Sequence, residues 1–206
     1  GHLSDYHDRD QAAGAWLGLD ADGKFVALKV LSTCAVGAYL DPGGMISPAN
    51  HVGGLAGTYL TPHIYTEASA VFTNTAPIGP YRGAGRPEAT YILESVIDKA
   101  AREMNLDRAE IRRINCVPPE AMPFKTGLLY TLDSGDFPRN LDQALEMGDY
   151  AGFEARRAEA KNRGRLRGIG VANFIEQTAQ MDGETVRVQF DPSGTATVIA
   201  GSISHG

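Results

Sequence analysis

Residues 79–101 read GPYRGAGRPEATYILESVIDKAA, and this stretch decides how the rest of the chain is parsed. Ala89, Ile92, Leu93, Val96, Ile97, Ala100, Ala101 and Met104 recur at helical spacing, which predicts an amphipathic helix opening at about Arg86. Pro87 suits the first helical turn, and Glu88 complements the positive end of the helix dipole. Just ahead, Gly83 and Gly85 flank Ala84 and let another molecule approach the backbone, while Arg82 and Arg86 supply planar, permanently charged forks. Two readings stay open on the residues alone. One is an anion site for phosphate or carboxylate at the helix N-terminus. The other is a tight turn whose arginines pair with local carboxylates such as Glu88 or Glu94. A standard phosphate loop is excluded, because GxxxxGK[ST] is absent and Pro87 and Glu88 break the GxGxxG spacing.

Working outward, GAWLGLD and KFVALKVLS flank a turn at Asp22-Gly23 and predict a hairpin. Residues 33–62 are rich in Gly, Pro and small side chains without a sustained period. They predict irregular backbone packed closely against something, with one short helix. Strand character resumes over 63–75. Asp107 and Glu110 predict a capping box that opens a second, shorter helix. Pro-containing loops follow from 116 to 140, then amphipathic helices near 141–147 and 153–163. The arginines and lysine of the last helix read as a solvated face. GIGVANFIE, ETVRVQF and TATVIAG predict strands, the last two a hairpin about DPSG. The expected fold is α+β, with mixed and antiparallel sheets and helices packed on one face.

A net charge of −6 argues against nucleic acid or an anionic membrane as partner. The two cysteines, Cys34 and Cys116, are isolated and predict buried thiols rather than a disulfide or zinc site. No histidine spacing suggests a metal held by protein ligands. No long apolar run predicts membrane insertion, and a cytoplasmic setting is the default.

PYRGAGRPEATYILE resembles the arginine loop and following helix of the molybdenum-hydroxylase (xanthine dehydrogenase) family's molybdopterin-binding large subunit. It is most similar to the aerobic carbon monoxide dehydrogenase large-subunit branch with the YRGAGR variant. SDYHDRD, VFTNTAP, DSGDFPRNLDQAL and GRLRGIGVANFIE…GETVRV agree, so the resemblance covers almost the whole chain. It implies that Arg82 lies against molybdopterin, with Gly83 and Ala84 beside the metal-proximal pocket. It implies a second cofactor contact at His205 and Gly206, beginning from Ser204. It assigns no catalytic residue or protein metal ligand here, because the family's general-base glutamate is expected outside the chain.

The resemblance implies a molybdenum-dependent oxidoreductase that oxidises a small substrate with water-derived oxygen. Electrons then pass to iron–sulfur and flavin subunits or domains. Molybdopterin, in plain or cytosine dinucleotide form, is the implied cofactor, and a homodimeric complex is a further implied partner state. Gly83 stands where carbon monoxide dehydrogenases place a copper-binding cysteine, and Ala84 stands where xanthine-type enzymes place a stacking phenylalanine. Residues 1–165 are expected to be part of a first molybdopterin-binding domain, and 166–206 the first strands of a truncated second. The chain reads as a fragment, inactive and without cofactor when isolated. A non-catalytic anion- or nucleotide-binding module using Arg82–Arg86 is the alternative.

Overall fold

The structure is a computed structural model that describes residues 5–7, 9–176 and 185–201. The two apolar runs about Asp22-Gly23 pair as expected. Strands β1 (Gln11–Leu19) and β2 (Phe25–Ala35) form an antiparallel ladder with Leu17 opposite Leu28. The Asp20 carboxylate accepts from the amides of Asp22 and Lys24 and so shapes the turn between them. Strand β3 (His63–Val71) adds to the other side of β2 in parallel. A parallel neighbour needs a crossover, and helix α1 (Ile46–Gly54) lies in it. The sheet order is therefore β1-β2-β3, and the sheet is mixed.

Alternation along β2 sorts its faces. Leu28, Val30, Ser32 and Cys34 are buried, whereas Lys29 and Thr33 are exposed. Helix α2 (Arg86–Met104) buries its predicted stripe against the inward face. Ala89, Leu93, Ile97 and Ala101 join Leu28, Val30, Leu55 and Tyr59 in the core. Each fully buried Leu or Ile contributes about 1.5–3 kcal/mol. The opposite face carries Trp16 and Tyr65, both more than half exposed, with the Lys29 ammonium 5.4 Å from the Trp16 ring.

Helix α3 (Arg108–Arg113) starts where Asp107 caps the amides of Ala109 and Glu110. Glu110 turns to Arg113 rather than back to the cap. Two short strands follow, β4 (Phe124–Lys125) and β5 (Thr131–Leu132). Then come helices α4 (Phe137–Met147) and α5 (Phe153–Asn162). The cations of α5 behave as a solvated face: Arg156 pairs with Asp149, Arg157 with Glu154 and Arg163 with Glu159.

One expectation fails. GIGVANFIE forms no strand over 168–176. Its main chain is bonded to side chains instead of a neighbouring strand. Arg108 donates to the Ile169 carbonyl, Thr58 donates to the Asn173 carbonyl, and the Asn173 amide donates to Glu94. These partners already satisfy the polar backbone groups that a sheet would have paired.

The chain divides into two compact units, Gly1–Ile175 and Glu176–Gly206. The second contains the expected hairpin, β6 (Val186–Phe190) and β7 (Ala196–Ala200), which meet antiparallel. Val186, Val188 and Phe190 stand opposite Ala200, Val198 and Ala196 and make one apolar face. The architecture is α+β, and no helix among the described residues is long and apolar enough to cross a membrane.

Candidate functional site at the arginine loop

The loop before α2 is built from two overlapping turns. The Ala84 amide donates to the Tyr81 carbonyl at 2.6 Å, and the Arg86 amide donates to the Gly83 carbonyl at 3.1 Å. To do so the chain takes positive φ three times running, +88° at Gly83, +39° at Ala84 and +95° at Gly85. Glycine accepts this region freely, whereas Ala84 is held there at a cost of roughly 1–2 kcal/mol. That strain persists because the surroundings over-determine the loop.

Gly85 is the buried foot of the loop. A Cβ there would stand 2.1 Å from the Ser47 carbonyl oxygen and 2.6 Å from the His51 nitrogen, so the turn rests directly on the backbone of α1. On the outer side, Arg9 reaches in from the N-terminal segment. Its guanidinium donates to the Arg82 carbonyl at 2.8 Å, stacks 4.9 Å from the Tyr81 ring centre, and lies 3.6 Å from the Glu88 carboxylate. The sequence reading missed Arg9. It sits between two aspartates in a short charged segment, a pattern that signals only solvent.

Arg82 is exposed, Gly83 and Ala84 are half-buried, and Arg86 is half-buried with its guanidinium donating to the Gly83 carbonyl. The three predicted loop residues, Arg82, Gly83 and Ala84, are thus contiguous and share one turn with Arg86. The helix end itself offers little to an anion. The Arg86 amide is taken by Gly83, and Pro87 has none. Glu88, buried in the first turn, already supplies the negative charge that the dipole favours. His205 and Gly206, with Ser204, lie outside the described residues.

The Gly/Pro-rich stretch lies against the chain's own backbone. At Gly37, with φ of +84°, an added Cβ would be 2.4 Å from the Pro77 Cα, so residues 36–38 cross the 73–78 segment at main-chain distance. Reciprocal bonds, Thr73 amide to Gly37 carbonyl and Ala38 amide to Thr75 carbonyl, hold the crossing. The closeness that the composition implied is therefore internal.

Beneath the loop, His51 on α1 is buried and its ring bonds Ser32 Oγ at 2.8 Å. Burial holds this imidazole neutral, with its pKa pushed down to about 4. Cys34 lies two residues along the same face of β2, and burial, then the nearby Glu88 charge, raises its thiol pKa. A separate cleft of about 470 Å³ is lined by Asp107, Arg108, Tyr150, Phe153, Glu154 and Arg167. None of residues 82–86 reaches it.

No cluster of three or more His, Cys, Asp or Glu side chains among the described residues could hold a metal ion. The donor chemistry is instead that of guanidinium forks and a glycine-rich approach. It fits a group that carries its metal on its own sulfur or oxygen ligands and presents oxygen acceptors to the protein.

Comparison with known proteins agrees with that chemistry. Residues 2–116 match one family described as Molybdopterin cofactor-binding domain, and residues 143–206 match a second family of the same description. The chain is 30% identical to the 6-hydroxypseudooxynicotine dehydrogenase complex subunit gamma of Paenarthrobacter nicotinovorans, over 97% of this chain and 26% of that protein. It is also 30% identical to the carbon monoxide dehydrogenase large chain of Hydrogenophaga pseudoflava, over 96% of this chain and 27% of that one. Quinoline 2-oxidoreductase from Pseudomonas putida 86 superposes with a TM-score of 0.81 at 33% identity, covering all of this chain and 28% of its own. The chain thus spans about a quarter of the length of these relatives. A fixed arginine turn and a match over more than half the chain place it in one group: it belongs to the molybdopterin cofactor-binding domain family of the molybdenum hydroxylase large subunits.

Proposed function

We propose that this chain is part of the catalytic subunit of a molybdenum-dependent oxidoreductase that oxidises a small substrate with oxygen taken from water. Electrons leave to iron–sulfur and flavin partners. The molybdenum–pterin group, when bound, supplies the redox chemistry, and the protein supplies binding, orientation and electrostatics. Within this chain the Arg82 guanidinium donates hydrogen bonds to oxygen acceptors of that group. Gly83 and Ala84 keep the approach open, and His205 and Gly206 form a second contact. The general base comes from a segment outside these residues, so the chain alone is inactive.

The observation that carries this reading is the rigid presentation of Arg82. Its side chain is exposed, while its main chain is held by Arg9 and its turn is seated on α1 through Gly85. A preorganised cation on a strained turn is what orientation of a polar cofactor requires. The same loop narrows the substrate. Gly83 has no thiolate for copper, which disfavours carbon monoxide, and Ala84 has no ring to stack on a purine. The cofactor is taken in molybdopterin or cytosine dinucleotide form, and the assembly is a cytoplasmic complex that can form homodimers. Residues 1–165 are taken as part of the first molybdopterin-binding domain and 166–206 as the first strands of the second.

The test is molybdenum content of the complete subunit carrying Arg82→Ala, alongside its circular dichroism. Loss of molybdenum with an unchanged fold supports the assignment. Normal loading removes Arg82 from the site.

A further inference from the structure

The buried polar atoms without a hydrogen-bond partner among the described residues include Ser47 Oγ, His51 Nδ1 and Glu88 Oε2, near the foot of the arginine loop. Their residues are 7%, 1% and 7% exposed. An unsatisfied buried polar atom costs roughly 1–3 kcal/mol, so three of them around one loop is a pattern that requires an account.

The three belong to elements that pack on one another. Ser47 and His51 are one helical turn apart on α1, and both touch the foot of the loop through Gly85. Glu88 lies three residues past Gly85 in the first turn of α2. At the other end of the same contact, a Cβ on Gly54 would meet the Ala89 Cβ at 2.9 Å, so α1 and the start of α2 run closely together. Behind both stands β2. Its Ser32 bonds the His51 ring, and its Cys34 senses the Glu88 charge. Ser47 and His51 on α1 and Glu88 on α2 therefore sit on neighbouring turns that pack on the foot of the loop and on β2.

Neither direct pairing nor a metal explains the set. Glu88 uses its other oxygen on Arg9, and His51 uses its other nitrogen on Ser32. One carboxylate oxygen, one imidazole nitrogen and one hydroxyl give acceptor and donor capacity in the mixture that suits water. A buried water typically makes about three hydrogen bonds to otherwise unsatisfied groups. A divalent cation would draw more carboxylates than the single one present.

We infer that an ordered water is bound among Ser47, His51 and Glu88, and that this hydration site fixes the height of the arginine loop on α1. This rests on the reading of the loop as the cofactor's holder only for its consequence, not for the water itself. With the site filled, the loop is pinned from below by the water bridge and from outside by Arg9. His51 is then a positioning residue. Its Nε2 ties α1 to the sheet and its Nδ1 ties the bridge to α2.

The test is a crystal structure of the complete subunit at a resolution that shows ordered water, for the native protein and for His51→Gln. Glutamine places its amide where Nε2 stands, keeps the Ser32 contact and leaves nothing at Nδ1. A water peak within hydrogen-bond distance of His51 Nδ1 and of Ser47 Oγ or Glu88 Oε2 is expected in the native protein. In His51→Gln the peak is expected to weaken, the loop main chain to shift and molybdenum to be lost several-fold faster. Native density showing these atoms bonded directly to protein groups, or a variant with an unmoved loop and unchanged retention, overturns the inference. Arg82→Ala separates the two ideas. Normal molybdenum loading in that variant sinks the cofactor reading, while the native water density still decides the hydration site.

Discussion

Arg112 Nε and Glu94 Oε2 stand 2.7 Å apart, and the Arg112 side chain has no exposed surface. The guanidinium also meets Asp98 at 2.9 Å and the Arg108 carbonyl at 2.7 Å. Glu94 in turn accepts from Tyr59 Oη at 2.7 Å and from the Asn173 amide at 3.2 Å. Burial acts to lower the Arg112 pKa, but the Glu94, Tyr59 and Asp98 charges and the Glu94 hydrogen bond together outweigh it and raise the value. Tyr59 is raised well above its ordinary value by burial and then by Glu94. The pair thus anchors α2 to α3 and fastens residues 169–173 to both.

Replacing Arg112 alone strands two carboxylates. Arg112→Met is expected to cost about 3–5 kcal/mol in urea unfolding. The double variant with Glu94→Leu is expected to recover part of that loss, since the uncompensated charge goes with it. A single variant as stable as the native chain would show that solvent reaches the pair.

Acid sensitivity should centre on His51. Its pKa is about 4 when folded against 6.5 as the ordinary value, so the unfolded chain binds the extra proton between those limits. Stability is unaffected above about pH 6.5, falls as pH drops, and by pH 4 has lost about 3 kcal/mol. His51→Gln should flatten this part of the profile. An unchanged slope in that variant would assign the acid loss elsewhere.

Gly85→Ala and Gly164→Ala make an informative pair. Both positions have positive φ, +95° and +70°. A Cβ at Gly164 meets nothing within 4 Å, whereas one at Gly85 strikes the α1 backbone. Gly164→Ala should cost roughly 1 kcal/mol from the left-handed conformation alone. Gly85→Ala should cost several times more in thermal unfolding, because backbone on backbone has nowhere to yield. Equal costs would mean that the loop is not seated on α1.

The two thiols should be silent in the native protein. Burial pushes the Cys116 pKa up to about 11 and raises that of Cys34. Iodoacetamide at pH 8 is expected to leave both unmodified until denaturant is added, because the thiolate is the nucleophile. Fast labelling of Cys116 under native conditions would report opening of the contact with Asn173, whose side-chain amide lies 3.1 Å from the sulfur.

The α2 stripe, the first hairpin and the Asp107 cap were legible because each depends on spacing within one segment. The parallel pairing of β3 was not, since a period of two carries no direction and only the α1 crossover supplies it. Residues 168–176 read as a strand because Ile169, Val171 and Phe174 are apolar, yet whether a strand forms depends on partners elsewhere in the chain. Nothing in the order of the chain pairs Glu94 with Arg112, although each is buried beside a core position, Leu93 and Ile111. Arg82, Gly83 and Ala84 were singled out by their order in the chain. Arg9 and His51, which hold them, were invisible for the opposite reason, being distant in sequence and near only after folding.

The seat of the arginine turn is main chain against main chain, Gly85 upon Ser47 and His51. A frame of this kind is set by the missing side chain at 85, which is what lets the two backbones meet. Position 84 already carries a side chain on that seat, whereas one added at Gly83, with φ of +88°, would be strained. An engineer seeking altered selectivity would begin at Ala84, the exchangeable tip of a fixed socket, and leave Gly85 alone.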